Sequence, residues 1–185
     1  MPWHYRFGYC VLTLLMFRLV WGVVGGKWSR FASFVYAPSS ILRYLKGQGD
    51  ALHSVGHNPL GAFSVFAMLA LLLVQVSTGL ISDDEISAAG PLTKFVSNAT
   101  VSLASSYHVT IGKVLVIVLV ITHLVAIVFY LYKKQENLIK PMLHGDKLLP
   151  NSTPASADTA ATRTLALAIL LACAAAVYWL VSLGG

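Results

Sequence analysis

Residues 107–130 read YHVTIGKVLVIVLVITHLVAIVFY. The stretch is apolar almost throughout, yet it holds His108 and His123, fifteen positions apart. A helix needs about 20 apolar residues to cross the hydrocarbon core of a bilayer, and this one has them. Ionisable groups at membrane depth are costly, so an imidazole there marks a function. What the two histidines do in a segment otherwise suited to lipid decides the fold and the chemistry.

The rest of the chain agrees with a membrane reading. Of 185 residues, 57% are hydrophobic and 11% are charged. A soluble domain would carry roughly a quarter charged residues, and the mean hydropathy is +0.73. Three further segments match the length criterion, so the predicted spans are 6–25, 61–81, 109–132 and 163–183. The predicted fold is all-α, a transmembrane helical bundle. The second span opens on GHNPLG, where Asn58 suits an N-cap and Pro59 the first turn. The net charge of +6 fits loops that retain Lys and Arg better than a nucleic-acid surface. Cys10 and Cys173 lie in apolar runs with no CxxCH motif. They read as small buried hydrophobes, and no covalent haem attachment is implied.

Loop charges set the expected orientation. Loop 26–60 carries Lys27, Arg30, Arg43 and Lys46, and loop 133–162 carries Lys133, Lys134, Lys140 and Lys147. Loop 82–107 carries Asp83, Asp84 and Glu85. By the positive-inside rule the two basic loops are cytoplasmic and the acidic loop faces out, to a periplasm if the membrane is the inner membrane of a Gram-negative bacterium. Within the first basic loop, WSRFASFVYAPSSILRYLKG reads either as an interfacial helix or as an ordinary loop. The acidic run is either a docking point for a basic partner or a solvated loop. Residues 151–162, rich in Ser, Thr and Ala, read as a polar linker. The expected organisation is therefore 1–150, linker 151–162 and an additional helix 163–185.

The orientation gives the histidines depths. His4 opens the first span and His108 the third, both from the outer side. Two imidazoles from different helices at one depth are what a bis-histidine haem b requires. His123 lies about 22 Å deeper at 1.5 Å per residue. Fifteen steps of about 100° leave a net offset of roughly 60°, so both histidines of this span face one side. No single ion bridges that spacing, whereas two haems stacked across the membrane do. Taken singly, each histidine also fits a proton relay or an interhelical hydrogen bond. At the inner side His57 has three readings: a ligand, a propionate partner, or a headgroup-region residue. Arg18 either meets a haem propionate or snorkels to the interface. Lys113 has the same two readings at the outer end. His53 and His144 read as interfacial loop residues.

Three ordered segments carry a resemblance. They are WHYRFGYCVLTLLMFRLVWGVVGGKWSRFASF, then GHNPLGAFSVFAMLALLLVQVSTGLISDDEI with GPL and FVS, then YHVTIGKVLVIVLVITHLVAIVFY followed by ENLIKPMLHGDK. Over His4 to Lys147 the chain resembles the bacterial cytochrome b561 and Ni,Fe-hydrogenase b-type cytochrome family. The last helix lies outside it. The resemblance implies a helical bundle with two b haems that passes electrons between membrane quinones and a redox protein, a c-type cytochrome or a hydrogenase. By position it implies His4 and His108 as the ligands of one haem and His123 as a ligand of the other. Family members usually begin with a further helix whose histidine partners the His123 equivalent. This chain starts at what resembles the second family helix. Either the start is misassigned, the chain is a fragment, or the protein has lost that helix; the missing signal peptide before His4 favours a preceding segment, and one haem is expected for the chain as given.

The expected function is thus a membrane haem b electron carrier of a respiratory chain, a cytochrome subunit more than a stand-alone enzyme. The alternatives are a haem-free membrane anchor and a transport-type protein using the histidines as a proton relay. A relay calls for intramembrane carboxylates or broken helices, and no Asp or Glu lies inside any span.

Overall fold

The structure, a computed structural model, describes residues 2–48, 56–86, 88–145, 156 and 158–184. His53, the His144 side chain and half of the expected linker lie outside the described residues. The chain is all-α. Helix α1 is Pro2–Val24, α2 Pro38–Leu45, α3 Pro59–Leu80, α4 Asn98–Ser106, α5 Lys113–Tyr132, α6 Ile139–His144 and α7 Ala160–Ser182. A π-helical turn, Tyr107–Gly112, joins α4 to α5, so that Asn98–Tyr132 runs as one helix of 35 residues. Among the described residues four helices are long and apolar enough to span a membrane.

Local chemistry sets the helix ends. Asn58 Oδ1 accepts from the Gly61 amide at 2.7 Å, and Pro59 occupies the first turn of α3, where its missing N–H costs nothing. Thr159 and Thr162 form a reciprocal capping box at the start of α7. Ser97 Oγ accepts from the Thr100 amide at 3.3 Å, which starts the third spanning helix at Asn98 rather than near residue 109. The apolar run beginning at residue 109 concealed that start, because residues 98–106 are polar enough to read as loop. His108 is therefore inside a helix instead of at its mouth. Of the stretch that reads as an interfacial helix or an ordinary loop, only α2 is α-helical, since Pro38 fixes a helix start and leaves Ala37 extended.

Helices α1 and α3 pack on each other. Helix α7 lies against α1, and the long third span lies against α3. Leu12 of α1, Leu80 of α3 and Val177 of α7 form the buried cluster, with Tyr9, Met16, Val76, Leu180 and Val181 around it. Helix α5 leaves Val118, Ile121, Leu124, Val125 and Val128 exposed. On a membrane-spanning helix such residues face acyl chains or other helices at little cost.

Two end networks tie the bundle. At one end, residues 81–86 and 88–92 fold back on the end of α3. The Gly90 amide donates to Ser82 O at 2.7 Å, and the Leu92 amide donates to Leu80 O at 3.0 Å. The Asp83 and Asp84 carboxylates accept backbone amides of their own turn. The Asp83 amide donates to Ser105 Oγ at 2.9 Å, which seats α4. At the other end, Asn58 Nδ2 donates to the Tyr130 hydroxyl at 2.9 Å, and the Tyr44 and Tyr130 hydroxyls meet at 3.3 Å. That hydroxyl thus joins α2, the cap of α3 and the end of α5.

Candidate functional site

His4, in the first turns of α1, and His108, in the π turn, come together with ring centroids 5.9 Å apart and planes at 87°. A metal bound through an imidazole nitrogen lies about 3 Å from the ring centre, being about 2.0 Å from that nitrogen. Two imidazoles on opposite sides of one metal therefore stand about 6 Å apart. The spacing between His4 and His108 suits such an arrangement. Among the described residues no group of three or more His, Cys, Asp or Glu is poised to hold a metal ion. A pair of imidazoles suits a metal whose remaining ligands come from a macrocycle.

The second layer around His108 fits a ligand role. Its Nδ1 lies 2.9 Å from the backbone carbonyl of Gln75. A carbonyl only accepts, so Nδ1 carries the proton and Nε2 keeps its lone pair free for a metal. Thr78 Oγ1 stands 3.4 Å from the same Nδ1. The ring sits against Gly79, where a Cβ would come within 2.8 Å of His108 Cε1 and 3.2 Å of Nδ1. Glycine is what allows this approach. His4 is exposed. Gly8, one helical turn further on, faces open space, with nothing within 4 Å of a built Cβ. This leaves room beside His4 for a flat, bulky group.

The π turn is the second unusual feature. The Lys113 amide donates to the His108 carbonyl, an i→i+5 bond, and Gln75 Nε2 donates to that carbonyl at 3.1 Å. Single π turns inside α-helices recur at functional sites. None of Gln75, Thr78, Gly79 or the turn was singled out from the sequence. Gln75 was detectable, because an amide inside an apolar span is costly. The π turn has no comparable signal.

The other expected residues are elsewhere. Arg18 NH1 donates to Ser29 O at 3.0 Å, and its guanidinium lies 4.7 Å from the Phe31 ring centre and 5.9 Å from that of Phe34. Among the described residues no carboxylate pairs with it. The His57 ring lies against Phe34, with centroids 4.6 Å apart and planes tilted by 39°. The Tyr36 hydroxyl donates to its backbone carbonyl at 3.0 Å, and its Nδ1 is buried without a hydrogen-bond partner. Burial first, and the nearby Arg18 second, hold the His57 imidazole below the ordinary histidine range. Arg18 and His57 thus share one aromatic cluster with Phe31, Phe34 and Phe66. His123 is exposed on α5, with no hydrogen bond or ring contact among the described residues, and Lys113 is exposed. The estimate of 100° per residue between His108 and His123 does not hold, because the π turn winds more slowly than an α-helix. The structure brings His4 to His108 and Arg18 to His57, and it leaves His123 apart from both pairs.

A model of the prokaryotic cytochrome b561 family matches residues 1–145. No curated protein and no solved structure matches the chain. Helix α7 lies beyond the matched region.

Proposed function

Because the chain belongs to the prokaryotic cytochrome b561 family, whose members are membrane b-type haem electron carriers, we propose that His4 and His108 are the axial ligands of one b haem. The observation that carries the reading is the pair itself, two imidazoles 5.9 Å apart from different spans. The Nδ1–H of His108 held by Gln75 O supports it. His4 and His108 would hold the haem, whose iron would supply a one-electron couple, and ligation by two protein imidazoles would suit electron transfer and not oxygen chemistry. The Nδ1 bond fixes the tautomer of His108 and the orientation of its ring.

In this reading electrons pass between membrane quinol and a c-type cytochrome or hydrogenase, in a bacterial inner membrane, with loops 26–60 and 133–162 cytoplasmic and loop 82–107 periplasmic. The support for sidedness is the loop charge. The support for quinone and partner is the family. His123 is the proposed ligand of a second haem, on the strength of its depth and its family position. Its opposite ligand is not among the described neighbours of His123. Arg18 and His57 form the polar end of the α1 and α3 pair at that second depth. An anionic propionate would satisfy the cation there.

The test is a reduced-minus-oxidised spectrum with haem quantitation per polypeptide. His4→Ala and His108→Ala should each remove about one haem and the same b-type band, since each takes one of two axial ligands. Unchanged haem content in His4→Ala refutes the pair.

A further inference from the structure

Gln75 contacts His108 twice. Its backbone carbonyl accepts from His108 Nδ1 at 2.9 Å. Its side-chain Nε2 donates at 3.1 Å to the His108 carbonyl, the one that also closes the π turn with the Lys113 amide. The site is shaped for this side chain. A Cβ at Gly112 would collide with Gln75 Oε1, so a glycine stands four residues after His108 where the amide needs room. Oε1 is itself buried with no hydrogen-bond partner. An apolar residue would fit a spanning helix without that cost. An amide there, with half its hydrogen bonding unmet, is explained by what the other half holds.

We propose that Gln75 is a positioning residue for the His108 ligand: its side-chain amide stabilises the π turn that sets the His108 imidazole opposite His4. The inference rests on the haem reading for its consequence but not for its geometry. If residues 107–112 wound as a regular α-helix, the His108 carbonyl would bond the Gly112 amide instead of that of Lys113. The side chains on either side of the turn would then be rotated by about 100° relative to one another. The amide donor on the His108 carbonyl favours the open turn, and the turn keeps the ring against Gly79 and perpendicular to His4.

The experiment uses the full chain in lipid nanodiscs, with Gln75→Leu, Gln75→Asn and Gln75→Glu. Leucine removes the amide, asparagine is one methylene too short to reach, and a glutamic acid kept neutral by burial retains a donor. Two readouts separate the inference from the haem reading. In haem-free protein, 15N resonances of the His108 ring report its tautomer. Wild type and Gln75→Glu should show the Nδ1–H form, and Gln75→Leu and Gln75→Asn a mixture. In haem-loaded protein, the low-spin EPR line of perpendicular imidazoles should move in the Leu and Asn variants, and haem affinity should fall about tenfold or more. Glutamate should restore both. If Gln75→Leu does not fold, Gln75→Asn carries the same comparison. Wild-type tautomer in both the Leu and Asn variants overturns the inference, whatever haem does. A wild type that binds no haem while the tautomers shift as expected overturns the haem reading alone.

Discussion

Gly79→Ala should separate the stability of the bundle from its capacity to hold haem. The added Cβ would stand 2.8 Å from His108 Cε1 and 3.2 Å from Nδ1. Carbon atoms rest comfortably at about 3.5–4.0 Å, so the ring must withdraw by about 1 Å. The Nδ1 contact to Gln75 O is 2.9 Å. A withdrawal of that size takes it past the limit of a hydrogen bond, about 3.5 Å. Losing the bond costs the haem-free protein about 1 kcal/mol. Replacing a helical glycine by alanine returns about 1 kcal/mol. The two nearly cancel, so thermal unfolding of the haem-free protein should hardly move. Haem binding responds differently, because the bond orients the ligand. Loss of such a partner typically lowers metal affinity about 10–100-fold, or about 1.4–2.7 kcal/mol. The assay is haem titration of the detergent-solubilised protein beside circular-dichroism melting of the same samples. Wild-type haem affinity in Gly79→Ala would refute the argument that the glycine seats the ligand.

Further expectations concern the other end of the bundle. Tyr130→Phe removes the acceptor of the Asn58 amide and the contact to Tyr44. It should lower stability by about 1 kcal/mol in denaturant melts. Asn58→Ala should cost more, about 2 kcal/mol, because it also removes the cap of α3. The His57 imidazole is held below the ordinary range by burial and by Arg18. In acid the unfolded chain takes up this proton before the folded one does. Stability should therefore fall as pH drops below about 6.5, the unfolded value, towards the lower folded value. The drop in melting temperature across that window should shrink in His57→Phe, and an unchanged pH profile would show that His57 is not the group responsible.

Four spans were legible from composition alone, and so was the cap at Asn58, because crossing a bilayer is a matter of apolar length and a cap is local. The start of the third span was not. Its first turns, Asn98–Ser106, are polar in sequence and are held as helix by the Ser97 cap and the seat that Asp83 N–H gives Ser105. The pairing of His4 with His108 was legible as equal depth along two spans. Depth is one coordinate and follows from counting residues. Whether two side chains at one depth meet depends on helix rotation and on which helices are neighbours, and counting gives neither. Gln75, Gly79, Gly112 and the π turn belong to that second class. So does the meeting of Arg18 with His57, which depends on residues 26–34 folding back over α1 and α3. Sequence by itself determined that this is an all-α membrane protein with imidazoles at chosen depths, because hydropathy and spacing act along the chain. Tertiary structure alone decided which imidazoles face each other and what orients them, because those contacts are made between helices and their geometry is set by packing.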